Sequence, residues 1–445
     1  PAHGDGSGWV KKHQACLECA EETSSFVFVN MMRSAVMCAF LLSLALMVNG
    51  CDVGERGPKS SVPSSSLDGT SSESASSSST TSSVTASTTS SVTAAGYPGG
   101  YRATTVIDDL RIPWEMRFIP DGRLLITERQ GRVLLAEVRS GTTTEIGHIA
   151  VLADGEGGLM GLALDPDFPE SSSVYVSYTY SEDGNALNRV SRFTITGLDG
   201  PTPGLDSETI LVDGIPAGSI HNGSRVAFGP DGYLWVTTGD SGKGDLAQRL
   251  DSLAGKVLRM TTDGKVPPGN PYETQPYPFA LIFTLGHRNP QGLTFHPHTG
   301  QAYVTEHGPS SDDEINKLQM GGNYGWPNLR GRVNRAGFID PVMTWSPTIA
   351  PAGTLFYSGA MLSELTGALV FVTLKESDLR VLVPTDEADF LTVADEQILF
   401  DEEFGRLRAV AQGPEGALYV GTSNFDGRGD PRSGDDRIIC VDRAE

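Results

Sequence analysis

Four windows of this chain carry side chains that could do chemistry together. His221 lies in IHNGSRVAFGPDGYLWVTTGD, in a glycine-containing loop just ahead of a strand, and the strand that follows returns to Gly239 and Asp240. An imidazole whose tautomer is fixed by a carboxylate is the usual arrangement of a general base near neutral pH. Taken alone, the window fits a loop histidine bonded to backbone at least as well. In LGHRNPQGLTFHP the run Gly-His-Arg-Asn-Pro is too polar for a strand, which puts Arg288 and Asn289 on a loop. An arginine there can stabilise an oxyanion or hold a carboxylate, and simple surface solvation is the alternative.

The third window, EHGPSSDDEINKLQMGGNYGWP, gathers Asp312, Asp313 and Glu314 beside loop carbonyls. These are the hard oxygen ligands that calcium prefers, although the spacing is not that of an EF-hand and a solvated acidic turn would read the same way. The fourth set is Lys375 in VTLKESDLRVL with Arg406 and Arg408 in FGRLRAV. On a strand, Arg-x-Arg points both guanidinium groups to one face, which suits a doubly anionic ligand or an exposed strand face.

The elements that must position these residues repeat. A turn rich in Pro, Asp and Gly followed by a short alternating strand occurs as PDGRLLITER, PDGYLWVTTGD, PHTGQAYVTEHG and PEGALYVGTSN, with a looser copy in PDFPESSSVYVSYTY. The turn supplies special backbone angles, and the period-2 apolar residues imply a half-buried strand. Successive copies begin 46, 64, 67 and 117 residues apart, so the last gap leaves room for one unrecognised copy. Helical periodicity is absent. The reading is an all-β, six-bladed β-propeller over residues 101–445, at about 58 residues per blade. A β-helix would repeat at shorter intervals, and paired sandwiches would not share one phrase. A propeller gathers loops from every blade around one axial mouth.

Ahead of it the sequence reads as processing and tether. Residues 35–48 form an apolar run after Met31-Met32-Arg33, too short at 14 residues to span a bilayer, and Val48-Asn49-Gly50-Cys51 follows like a bacterial lipobox. The expected layout is an upstream extension over 1–30, a lipoprotein-type signal peptide over 31–50 and a disordered tether over 51–100. Within the tether, 18 of the 23 residues from 71 to 93 are Ser or Thr, with too little apolar surface to offset ordering. The body would then be exported, periplasmic or at the cell surface, meeting the membrane only through a lipid on Cys51. Cys16 and Cys19 form a single CxxC pair, weak evidence for zinc. Only Cys440 remains in the body, which therefore has no internal disulfide. The net charge is -22, of which -19 falls on residues 97–445, and this excludes non-specific binding of nucleic acid.

Read together, the windows resemble the soluble pyrroloquinoline quinone (PQQ) dependent glucose and sorbosone dehydrogenases, on the aldose sugar dehydrogenase branch. The resemblance runs in order through DGEGGLMGLALDPDF, HNGSRVAFGPDGYLWVTTGDSG, LAGKVLRM, GHRNPQG, EHGPSSDDEIN, GGNYGWP, WSPTIAPAG, LKESDLRVL and GRLRAV. It implies a six-bladed propeller with PQQ and Ca²⁺ in the axial mouth. It further implies oxidation of an aldose at C1 to the lactone, with electrons passed on to a quinone or other acceptor. On this resemblance His221 takes the C1 hydroxyl proton, Asp240 orients His221, and Arg288 stabilises the reduced quinone oxygen. Asn289, Lys375 and Gln248 would hold PQQ, and Arg406 and Arg408 would pair with its carboxylates. The carbonyls of Gly308 and Pro309 resemble those of a calcium site, and Glu314 and the Tyr324 carbonyl those of a second one, with Asp313 counted among the metal residues. Glu156 and Trp345 would line the substrate cleft. The chain departs from the glucose enzymes at Ile220, at Glu156, where Gln is frequent, and at Val342, where an aromatic stands. These changes bear on the sugar rather than on the cofactor. A non-catalytic surface propeller binding sugar or a protein partner is the alternative; a calcium-dependent lactonase fits less well, because four cations are directed at one pocket.

Overall fold

The computed structural model describes residues 100–386 and 390–444. The expected extension, signal peptide and tether lie outside the described residues, apart from the last position of the tether. The described chain forms six four-stranded antiparallel sheets. Blades one to five follow the sequence, over 113–148, 159–216, 223–285, 290–345 and 351–399. Blade six takes three strands from 407–443 and its outermost from the start of the domain, where Tyr101–Ile107 pairs with Ile438–Arg443 and closes the ring. Among the described residues the only helices are three 3-10 turns of five residues or fewer.

Each repeated phrase forms the second strand of a blade: Leu124–Glu128, Ser173–Glu182, Leu234–Thr238, Ala302–Glu306 and Leu418–Thr422. The copy for which the spacing left room is TGALVFVT, whose strand is Leu369–Thr373. There the 3-10 turn Ser363–Leu365 replaces the Pro-x-Gly corner.

In one respect the structure corrects the strand pattern. All five residues are buried in five of these six second strands, where alternation implied half-burial. The reason is that both faces of a blade pack on neighbours. The six apolar clusters each join two adjacent blades. Leu125 and Val133 meet Leu159 and Val174 in one of them, and Tyr303 and Ile315 meet Leu369 and Phe371 in another. Burying each such side chain contributes about 1.5–3 kcal/mol, so the core is a ring of wedges rather than a centre.

In blades one to four a hydroxyl of the second strand ties blade to blade. Thr127 Oγ1 donates to the Met160 carbonyl at 2.7 Å, Ser177 Oγ to Ser224 at 2.6 Å, Thr237 Oγ1 to Pro290 at 2.8 Å and Thr305 Oγ1 to Ala352 at 2.7 Å. A buried hydroxyl must find a partner, and here the partner is the innermost strand of the next blade.

Candidate active site

His221, Asp240, Arg288, Asn289, Gly308, Lys375, Arg406 and Arg408 obey one positional rule. They sit just before, or at the start of, an innermost strand, or just after a second strand. His221 precedes Gly223–Phe228, Arg288 and Asn289 precede Pro290–Phe295, and Arg406 and Arg408 flank the first residue of Leu407–Gln412. Asp240, Gly308 and Lys375 follow the second strands of blades three, four and five. Because paired strands run antiparallel, these positions all fall at one end of the ring.

His221 Nδ1 lies 2.7 Å from Asp240 Oδ1, and Asp240 is almost fully buried. A carboxylate only accepts, so Nδ1 carries a proton, and in the neutral ring the free lone pair is then on Nε2. The loop that makes this possible is tightly folded. His221 adopts φ 59°, its carbonyl accepts from the Ser241 amide at 3.1 Å, and a Cβ on Gly239 would stand 1.9 Å from that carbonyl. Its own amide donates to Glu156 Oε2 at 2.9 Å. The other Glu156 oxygen accepts from Arg428 at 2.9 Å. Burial raises the Glu156 pKa, but the His221 amide and the Arg428 guanidinium, with the nearby His307, outweigh it, and the net shift is downward. The added negative charge expected here is therefore balanced by Arg428.

Arg288 donates from Nη1 to the His307 carbonyl at 3.0 Å, and its amide is bound by Glu306. Its Nε is buried without a partner, as is Nδ2 of Asn289, whose Oδ1 accepts from the Gly223 amide at 3.0 Å. Burial pulls the Arg288 pKa down, partly offset by Asp240 and Glu306. Two buried donors left open on adjacent residues leave room for an acceptor-rich ligand. Arg406 and Arg408 share one counter-ion, Asp426 Oδ2, at 2.9 and 3.4 Å. Burial draws the Arg408 pKa down to about 10.

Beside Arg288 a small pocket is lined by Gly308, Pro309, Glu314, Tyr324 and Trp326 among others. Burial, then the charge of Glu306, pushes the Glu314 carboxyl up to about 8. Asn316 Nδ2 donates to both Glu314 and Glu306, while its Oδ1 is buried without a partner. No group of three or more His, Cys, Asp or Glu side chains arranged to hold a metal occurs among the described residues, so a cation here would need carbonyl oxygens beside any single carboxylate.

Four expected residues find partners within the chain. Gln248 exchanges hydrogen bonds with Asn323 at 3.0 and 2.8 Å and donates to the Trp326 carbonyl at 2.6 Å, which fills its amide. Asp313 accepts from the amides of Gly308, Ile349 and Ala350, each at 2.6 Å, so it shapes the Gly308 loop. Trp345 belongs to the outermost strand of blade four, where its indole donates to Glu396 at 3.0 Å and its ring packs by Phe371. It is not brought beside His221 by these contacts. Lys375 is half-exposed, with Nζ 2.6 Å from the Thr348 carbonyl.

The model of the family described as Glucose / Sorbosone dehydrogenase matches residues 110–430. The chain belongs to this family. Aldose sugar dehydrogenase YliI of Escherichia coli is 32% identical over 348 residues, covering 74% of this chain and 92% of that protein. Quinoprotein glucose dehydrogenase B of Acinetobacter calcoaceticus is 35% identical over 262 residues, covering 52% of this chain and 54% of that one. The PQQ-bound structure of aldose sugar dehydrogenase from Streptomyces coelicolor superposes with a TM-score of 0.69 at 36% identity, over 78% of this chain and 99% of that one.

Several supporting residues of this glucose/sorbosone dehydrogenase family member were missed in the sequence. Asp426, Arg428 and Trp326 reach the site from loops whose destination depends on ring closure, and Glu306 ends the second strand of blade four. Two of them carried a signal, Trp326 in the GGNYGWP motif and Glu306 in EHGPSSDDEIN. His287 lies beneath them, bonded to Glu306 at 2.7 Å and to Thr284 at 2.8 Å and stacked on Tyr324.

Proposed function

We propose that this chain is a PQQ- and calcium-dependent aldose dehydrogenase that oxidises sugars at C1 to the lactone. The observation that carries the reading is the His221–Asp240 pair standing with Arg288 and Asn289, whose Nε and Nδ2 are buried donors with no protein partner. Those open donors, together with the buried Arg408 and half-buried Arg406 guanidinium groups on a single carboxylate, fit a tricarboxylate cofactor rich in carbonyl acceptors. PQQ, when bound, supplies the quinone carbon that accepts the C1 hydride.

The chain's own work is positioning and proton handling. His221 Nε2 takes the proton of the C1 hydroxyl, and Asp240 steadies the imidazolium through Nδ1. Arg288 offers its cationic donor to the oxygen on which negative charge develops. Arg406, Arg408, Asn289 and Lys375 hold the cofactor, and Glu156 braces the His221 amide at the sugar side. The carbonyls of Gly308 and Pro309 would hold one Ca²⁺, and Glu314 with the Tyr324 carbonyl would hold a second. The unpartnered Asn316 Oδ1 supports a cation in this neighbourhood. Electrons leave to a quinone or other external acceptor, and the body is held outside the cytoplasm by lipid on Cys51. Loss of membrane association in Cys51→Ala tests the anchor.

The deciding experiment is reconstitution. Cofactor-free protein is expected to reduce a dye with aldoses only when PQQ and Ca²⁺ are both supplied. Protein that takes up PQQ, seen by absorbance, yet oxidises none of a panel of mono- and disaccharides would leave the non-catalytic alternative standing.

A further inference from the structure

Trp326 stands between the two halves of the candidate machinery. Its indole Nε1 donates to Asp240 Oδ2 at 2.7 Å, and the Arg288 guanidinium carbon lies 5.3 Å from its ring centroid, within the range of a cation–π contact. Asp240 spends its other oxygen on His221 Nδ1 and on the Gly242 amide, both at 2.7 Å. Both carboxylate oxygens are thus held, so the carboxylate cannot turn without breaking bonds on each side, and the His221 ring cannot turn without losing Oδ1.

Trp326 is itself fixed from three directions. Its amide donates to the Gly286 carbonyl at 3.0 Å, and its carbonyl accepts from Gln248 Nε2 at 2.6 Å. Gln248 is in turn locked to Asn323 by a reciprocal pair of hydrogen bonds. A Cβ on Gly244 would come within 3.2 Å of the indole nitrogen, so the missing side chain there leaves the space the indole occupies. The amide of Gln248, which the resemblance assigned to the cofactor, instead serves Trp326.

We propose that Trp326 is a positioning residue for C1 oxidation: its N–H fixes the Asp240 carboxylate, and through it the His221 ring, while its face holds Arg288. The inference rests on His221 acting as the base. A hydrogen bond to a charged group contributes about 1.5–3 kcal/mol, so its loss corresponds to roughly 10- to 150-fold in rate if it is used in the transition state.

The test is a double-mutant cycle on PQQ- and Ca²⁺-loaded protein, with Trp326→Phe and Asp240→Asn made singly and together. Trp326→Phe is expected to lower kcat by about 10- to 150-fold with little change in KM. PQQ affinity, from absorbance titration of the cofactor-free protein, should stay within about threefold. In the Asp240→Asn background the further loss should be under about threefold, because the bond's acceptor is already altered. Trp326→His, which keeps a ring N–H, should recover part of kcat. Losses that multiply in the double variant, or a fall in PQQ affinity as large as the fall in kcat, would overturn the inference while the dehydrogenase reading stood. Wild-type protein that binds PQQ without oxidising sugar would remove the reading beneath it. If Trp326→Phe does not fold, Gln248→Leu takes its place with the same non-multiplying pattern expected, and multiplying losses there overturn the inference equally.

Discussion

Replacing Arg408 by methionine separates cofactor binding from folding. Arg408 is 4% exposed and donates to Ser423 Oγ at 2.9 Å, Gln291 Oε1 at 3.2 Å and Asp426 Oδ2 at 3.4 Å. Its buried charge is expensive: burial lowers its pKa to about 10 even with Asp426 beside it. In Arg408→Met that cost disappears, and Asp426 keeps the shorter 2.9 Å bond to Arg406, so no carboxylate is stranded. Ser423 and Gln291, both neutral, lose one hydrogen bond each, and the methionine fills most of the volume. The opposing terms leave the stability of the cofactor-free protein within about 2 kcal/mol of wild type. Cofactor binding has no such compensation. A carboxylate that loses a charge-assisted donor in a buried site loses about 1.5–3 kcal/mol, so the PQQ dissociation constant should rise about 10- to 150-fold. Absorbance titration of cofactor-free protein gives the constant, and urea unfolding gives the stability. A dissociation constant within threefold of wild type would refute the assignment of Arg408 to the cofactor. A stability loss above about 4 kcal/mol would refute the reasoning about the shared counter-ion.

Three further outcomes are expected. His221→Gln should keep PQQ affinity while kcat falls about 10²- to 10⁴-fold, and an active variant removes His221 as the base. Glu115→Gln leaves Arg225 without its buried counter-ion beneath the site, where the guanidinium also lies 4.3 Å from the Trp114 ring centroid, so stability to urea should fall by about 3–5 kcal/mol; a loss under 1 kcal/mol counts against it. Asp426 is pulled below the ordinary carboxylate range because Arg408 and Arg406 outweigh the upward push of burial. A depressed carboxylate adds stability that is fully present above its unfolded pKa, about 3.9, and is lost as pH falls through the lower folded value. Asp426→Asn should therefore flatten the acid limb of the stability profile below about pH 4, and an unchanged limb would show that other carboxylates govern it.

Much of the fold was legible in the sequence, because a Pro-x-Gly corner followed by a short apolar strand is a local instruction, and local instructions repeat visibly. The sixth copy, TGALVFVT, escaped notice because a 3-10 turn does the work of its corner. Complete burial of the second strands was not legible either. A β-strand records its own alternation, but whether one face or two faces are covered depends on how many neighbours the ring supplies.

The same division runs through the site. His221, Asp240, Arg288, Asn289, Arg406 and Arg408 could be named from the sequence because each lies within a few residues of a strand it brackets. That Arg428 would neutralise Glu156, 272 positions away, could not be read locally. Nor could the use of Gln248 to fix Trp326, or of Asp313 to shape the Gly308 loop. Sequence by itself determined which residue types stand at the ends of the strands, and hence the chemistry available. Closure of the ring decided which of those side chains meet one another and which are left open to a ligand. A hydrogen bond is satisfied by the nearest partner in space, and for loops drawn from six blades that partner is set by the tertiary structure.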